Sequence, residues 1–333
     1  MKRHTIAAVI PVYNADAYID EALNSVAKQF RSPEEIVVIN DGSTDQTMDR
    51  ILDWERRRRG PRLTILEQSN KGVSAARNRG IEHCQADLIA FLDADDLWLP
   101  PHLEQLARAF EHHELAVCFG DALHFDDLGT VRSSSLAGTL IDHIQFHRQE
   151  DDLRLMIESP YDSLLNGNYI SLSSALISKK ALERVGGFDS AIKSAEDRDL
   201  FLRLSRIGRF AYYPRVLAHK RQHAGNLTHP RRLMSSQHYP LIVLRKMLAR
   251  AEEFELSEVE IRQTRTALAN HIQTMLYHSS CQGLGLYLKT CGYLLRQREI
   301  LAVCHLRHLF RSLVSVVGKR SVDERTRGDT FSG

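Results

Sequence analysis

Along the first hundred residues, short apolar runs alternate with stretches in which apolar positions recur every three or four residues. Residues 5–10, 36–39, 63–66 and 89–92 read as strands. The runs at 36–39 and 89–92 have no polar interruption, the mark of strands covered by helices on both faces of a parallel sheet. Between them, Tyr18/Ile19, Ala22/Leu23 and Val26 repeat at helical spacing, as do Met48, Ile51 and Leu52. A third helix is expected to open at Asn70-Lys71-Gly72 and run through Ala75, Ala76 and Gly80. Asn14 or Asp16 is placed to cap the first helix. Three strand–helix units in succession predict an α/β fold with a mainly parallel central sheet flanked by helices.

The later pattern is less regular. A helix is expected through Leu103, Leu106 and Phe110, then a strand at 116–120. Residues 133–162 are polar and weakly patterned, and read as an insertion or lid with a helix near 153–157. Order returns with a strand at 173–178, a short helix at 179–185, an amphipathic helix opened by Glu196-Asp197-Arg198-Asp199, and a strand at 212–219. Beyond about Pro230 the spacing is helical to about Arg320. The expected organisation is one domain over 1–229 and a helical C-terminal region over 230–333, with a flexible tail from about 320. Within the first domain, 1–120 would bind a donor and 121–229 would supply the acceptor side and a base.

Composition narrows the class. The 333 residues are 26% charged and 43% hydrophobic, as in ordinary soluble domains. A formal charge of +2 gives no electrostatic case for nucleic acid. Five widely spaced cysteines without a CxxC pair favour neither a disulfide framework nor a zinc site. Met1-Lys2-Arg3-His4 leads into a strand without a signal-peptide pattern, and no apolar run has membrane-spanning length. The expected location is the cytoplasm. Residues 284–317 are apolar but studded with basic side chains, which fits packing, a homo-oligomer contact, or a peripheral stance on a membrane surface.

Polar residues gather after the strands, where open α/β sheets bind ligands. Asp93, Asp95 and Asp96 crowd one strand end, an arrangement that a divalent cation bridging to phosphate relieves. Read as a solvated turn, the same residues would do nothing. Asp93 and Asp95 together can reach an ion and a ribose. Asp41 can hydrogen-bond a base edge, with Gly42-Ser43 letting the backbone come close. Asn70, Gly72, Arg77 and Asn78 are placed to order the nucleotide side, Arg77 as a phosphate or base contact. Asp197 is the candidate general base, a carboxylate beside other acids. His219 and His223 are candidates for a further metal or diphosphate contact, and Arg221 for phosphate.

Six segments in order make a resemblance: 9–14 (Val-Ile-Pro-Val-Tyr-Asn), 36–45 (Ile-Val-Val-Ile-Asn-Asp-Gly-Ser-Thr-Asp), 70–78, 91–96, Gly186-Gly187-Phe188-Asp189 with Glu196-Asp197, and 221–228. The chain resembles a bacterial-type, non-processive family-two inverting glycosyltransferase with the GT-A fold. That resemblance implies transfer of a sugar from a nucleotide-sugar, UDP-sugars being favoured, to a hydroxyl of a saccharide or lipid-linked saccharide, with inversion. It places Pro11, Tyr13 and Asp41 at the nucleobase, Asp93 near the ribose, Ala94 among the donor-binding residues, and Asp95 on Mn²⁺ or Mg²⁺. It makes Asp197 the residue that deprotonates the acceptor. Asn40 stands where the family usually has the first acid of a pair, and the Gln-x-x-Arg-Trp motif of processive synthases is absent. A sugar nucleotidyltransferase would carry a glycine-rich basic loop in place of Pro11-Val12-Tyr13-Asn14. A non-catalytic glycan-binding or assembly protein would not need both Asp95 and Asp197.

Overall fold

The computed structural model describes residues 3–57, 60–223 and 238–296. The first three strand–helix units form as expected: β1 (Ile6–Val12), α1 (Ile19–Ala27), β2 (Glu35–Asn40), α2 (Thr47–Arg57), β3 (Arg62–Glu67) and α3 (Val73–His83), followed by β4 (Leu88–Phe91). In the sheet these four strands lie in the order β3-β2-β1-β4, all parallel. Every residue of β1 and β4 is buried, because helices pack over the sheet: Ile19, Leu23 and Val26 of α1 and Ile51 and Trp54 of α2 share the core with Ile6, Ile10 and Ile36.

After β4 come β5 (Leu97–Trp98), α4 (His102–His112), β6 (Val117–Asp126), β7 (Gly129–Arg132), β8 (Phe146–Arg148), β9 (Arg154–Met156), α5 (Tyr161–Asn166), β10 (Ala175–Ser178), α6 (Lys179–Arg184), α7 (Glu196–Leu204) and β11 (Phe210–Arg221). β10 runs antiparallel between β4 and β6, and β11 runs parallel to β6. β6 and β11 therefore point the same way as β1 to β4. Their C-terminal ends open on the same edge of the sheet, which brings residues 219–223 to the loop after β4.

Two local expectations fail. The helix expected near 153–157 is strand β9, with Leu153 and Leu155 buried and Arg154 between them only partly so. Arg154 lies over the rings of Phe146 (4.6 Å) and Tyr212 (5.4 Å) and donates to Tyr212 Oη at 3.0 Å. That alternation is the period of a strand, and β11 supplies the partner. Neither Asn14 nor Asp16 caps α1, whose N-cap is Tyr18 without a side-chain bond. Asn14 Oδ1 instead accepts from Thr44 N at 2.8 Å, and Asp16 N donates to Asp45 Oδ2 at 3.2 Å, so the loops after β1 and β2 are tied together.

Gly80 shows how closely α3 lies on the sheet. A Cβ there would stand 2.5 Å from Val9 Cγ1 and 3.0 Å from Ile39 Cδ1, both buried. Gly80→Ala is expected to cost about 1–3 kcal/mol through overpacking; urea unfolding of the two proteins checks it.

The described residues divide into two compact units: those up to 243 with 250–256, and 244–249 with 257–296. In the second unit, the helices α8 (His238–Ala249), α9 (Glu258–Gln282) and α10 (Leu284–Arg296) succeed one another, α8 beginning in the first unit. Ser257 and Glu260 form a reciprocal capping box at the start of α9. The expected boundary near 230 and the tail from about 320 lie outside the described residues.

Candidate active site

The backbone turns after β2 and β3 are held by Asp41. This side chain is buried, and its Oδ1 accepts from Lys71 N and Gln68 Nε2 while Oδ2 accepts from Gly72 N, each at 2.8 Å. Gly42 (φ +78°) is required here, since a Cβ would stand 2.9 Å from the backbone nitrogen of Asn70. Asn40, at the position where the family has an acid, is buried and accepts from Ser43 N at 2.9 Å. Pro11 is buried in β1, Tyr13 beyond its end is 51% exposed, and Asn70 and Gly72 are exposed. These residues surround one end of the crevice.

The acidic strand end separates into three roles. Asp96 is buried and accepts from Arg221 N at 3.0 Å and Ser173 Oγ at 2.7 Å. Burial, reinforced by Asp95 and Asp93, pushes its carboxyl up to about 7, although Lys220 opposes this. Asp93 Oδ1 accepts from Arg77 Nη2 at 2.6 Å. Burial acts to raise the Asp93 pKa, but Arg77 and then Lys220 hold it below the usual carboxylate range. Asp95, one quarter exposed, meets His223, its Oδ2 lying 2.9 Å from the ring Nε2. Ala94 lies between the two carboxylates and is partly buried.

Arg77 is a strut. It is buried, and its fork donates to Asp93 on one side and to Glu196 Oε1 at 2.8 Å on the other, with Phe188 under the guanidinium. Burial disfavours its charge, yet the two carboxylates keep its pKa above the usual value. Asn78 is likewise engaged, donating to Phe188 O and accepting from Phe188 N. Arg77→Met would leave two carboxylates facing each other across an apolar gap, with an expected loss of about 3 kcal/mol at neutral pH. The Asp93 pKa is depressed in the fold, so the stability it contributes is present above its unfolded pKa and lost as pH falls through its folded one. The difference between wild type and variant should therefore shrink in acid, as urea titrations at a series of pH values would show.

Arg221 is buried over the rings of Phe125 (4.5 Å) and Tyr18 (5.2 Å), with Nη2 bonded to Glu21 at 2.7 Å and Nε to Asp95 O at 3.2 Å. His223 stacks on Tyr18 at 4.8 Å. His219 lies against Phe125, and its pKa is lowered by burial. The structure thus brings His223, rather than His219, to Asp95. Lys220, between them, did not stand out in the sequence. Burial disfavours its charge, but the negative charges of Asp96, Asp93, Asp197 and Asp95 together raise its pKa.

Asp197 stands in the first turn of α7, partly exposed. Burial, then Glu196, pushes its carboxyl up to about 6. Asn168 Nδ2 donates to its Oδ2 at 2.8 Å. Among the described residues there is no group of three or more His, Cys, Asp and Glu arranged to hold a metal ion. Asp95 and His223 offer two converging donors, and carboxylate cation sites of this kind commonly draw the rest of their ligands from phosphate and water.

A parallel α/β half and a mixed second half, with acidic residues gathered at the strand ends, make a mixed α/β architecture consistent with the GT-A fold. Residues 7–170 match the family described as Glycosyl transferase family 2. EpsH of Bacillus subtilis, named as a glycosyltransferase, is 34% identical over 148 residues, 44% of this chain and 42% of that protein. The chain thus spans about two fifths of the length of that relative. An uncharacterized glycosyltransferase of Rickettsia typhi is 27% identical over 235 residues, 68% of each chain. In fold, the chain is similar to Staphylococcus aureus TarS 1–349 in complex with UDP-GlcNAc (TM-score 0.56, 19% identity, 90% of this chain and 89% of that one). It is also similar to the mannosyltransferase PcManGT of Pyrobaculum calidifontis in complex with GDP-Man and Mn²⁺ (TM-score 0.51, 17% identity, 94% and 87%).

Proposed function

We propose that this chain transfers a glycosyl unit from a nucleoside-diphosphate sugar, UDP-sugars being favoured, to a hydroxyl of a saccharide or lipid-linked saccharide, with inversion. The observation that carries the reading is the Arg77 fork: it ties the Asp93–Asp95 loop to Glu196, the neighbour of Asp197, so a donor site and a base share one crevice. The match of residues 7–170 to glycosyl transferase family 2 supports the same class of reaction.

In this reading Asp41 and the turns it holds, with Pro11, Tyr13, Asn70 and Gly72, receive the nucleoside, and Asp93 faces the ribose. Arg77 acts from behind by holding Asp93, and Arg221 by holding the Asp95 backbone. Asp95 and His223 would hold Mn²⁺ or Mg²⁺, which when bound supplies charge neutralisation on the departing diphosphate. Asp93, Asp95, Asp96, Glu196 and Asp197 gather here with Arg77, Arg198, Lys220 and Arg221 among them, and a cation at Asp95 would ease the approach of a diphosphate to these carboxylates. Lys220 adds a fixed positive charge on the same side. Asp197 takes the proton of the acceptor hydroxyl as its oxygen attacks the anomeric carbon from the face opposite the diphosphate. The carbon–oxygen bond to phosphate breaks and its electron pair leaves with the diphosphate. One displacement inverts the centre and needs no protein nucleophile.

Calorimetric titration with UDP in the presence of Mn²⁺ tests the donor half. One-to-one binding that is weakened in Asp41→Ala is expected; absence of binding by UDP and GDP alike contradicts it. No described helix is long and apolar enough to cross a membrane. A peripheral membrane or homo-oligomer contact through 284–317 is a further part of the proposal, supported by the exposure of Leu288 and Leu295 on α10; residues 297–317 lie outside the described ones.

A further inference from the structure

We infer that Asn168 is a positioning residue that fixes the carboxylate of Asp197 for proton acceptance, an inference that rests on reading Asp197 as the base. Asn168 follows α5 in the stretch whose sequence is least patterned. Its Oδ1 accepts from Ile170 N at 3.1 Å, and its Nδ2 donates to Asp197 Oδ2 at 2.8 Å. The two bonds determine which way the amide faces, since the reverse orientation would set its oxygen against the carboxylate and its NH₂ against an N–H. The other carboxylate oxygen, Oδ1, accepts from Arg198 N at 2.7 Å. Both oxygens of Asp197 are therefore held, and the carboxylate cannot turn about its last bond without losing a partner.

The support under Asn168 is rigid. Arg198, next to Asp197, reaches back from α7 to the end of α5, donating from Nε to Leu164 O at 3.0 Å and from Nη2 to Leu165 O. Tyr169 is buried with its hydroxyl on Ser163 Oγ at 2.9 Å, and Ile170 is buried beside it. Residues 164–170 and the first turn of α7 thus form one braced unit. The charged groups acting on Asp197 from its surroundings are Glu196 and Arg198 on α7, Arg77 on α3 and Lys220 on β11. Asn168 differs from all four in being neutral and directed at a single oxygen, so it orients the carboxylate and favours its ionised form through a charge-assisted bond.

The test is a carboxyl-carbon NMR titration of the full chain, with the Asp197 signal assigned by its loss in Asp197→Asn. In Asn168→Ala the Asp197 midpoint should rise by about one pH unit, the size of a lost hydrogen bond to a charged group. Asn168→Asp keeps an acceptor for Ile170 N, and so keeps the loop, while replacing the donor by a carboxylate; its midpoint should rise further. A general loosening of the loop would lower thermal stability without ordering the midpoints in this way. Midpoints equal to wild type in both variants overturn the role of Asn168 and leave the base reading standing. Full nucleoside-diphosphate release from the donor by Asp197→Asn overturns the base reading itself, and the role of Asn168 with it.

Discussion

Asp197→Asn should bind donor as tightly as wild type and lose glycosyl transfer by about 10²–10⁴-fold, the usual contribution of a general base. The substitution preserves size, and the bond from Asn168 can be re-formed to the amide oxygen, while the amide NH₂ then faces Arg198 N and that one bond is lost. What disappears is a carboxylate that burial and Glu196 tune to about 6. The same tuning predicts the shape of the wild-type pH profile. Asp197 must be ionised to take a proton, so transfer should rise with pH through about 6 and level off above it. Calorimetry with the donor nucleotide and initial rates across pH 5–8 check both parts. Transfer at the wild-type rate in the variant would remove Asp197 from the mechanism.

Asp95→Asn should abolish the part of donor binding that depends on Mn²⁺. Asp95 and His223 converge at 2.9 Å, while Asp93 and Asp96 bond Arg77, Arg221 and Ser173. Losing that carboxylate is expected to weaken Mn²⁺-dependent UDP binding by on the order of 10²-fold, bringing it to the level of wild type in EDTA. An unchanged difference between Mn²⁺ and EDTA would show that the cation is held elsewhere. His223→Ala should give a smaller effect in the same direction, because His223 also stacks on Tyr18 and supplies only one neutral donor.

The first half of the fold was readable because its strands are uninterrupted apolar runs and its helices carry the 3.6-residue period. The same regularity put Asp41 and the Asp93–Asp96 cluster at strand ends, where topology then gathered them. Other features depend on partners distant in sequence. Arg77 looked like a helix-surface phosphate ligand, yet its two acids come from 16 and 119 residues away and bury it. Asp96 read as one of three acids crowding a strand end, but Arg221, 125 residues on, and Ser173 enclose it. Lys220 carried no motif, and its place among four carboxylates follows only from β11 running parallel to β6. Asn168 lies in the weakly patterned stretch, where no periodicity marks a position as facing α7. The strand β9 could have been found: Leu153-Arg154-Leu155 alternates, and a run of apolar residues after it obscured the period.

The most direct measurement of the central claim is nucleoside-diphosphate release by the full chain with Mn²⁺ across a panel of UDP- and GDP-sugars, with Asp197→Asn run alongside. Release from at least one donor, strengthened by a saccharide acceptor and lost in the variant, is predicted. Failure to turn over or bind every donor in the panel, or release by Asp197→Asn at the wild-type rate, would contradict it.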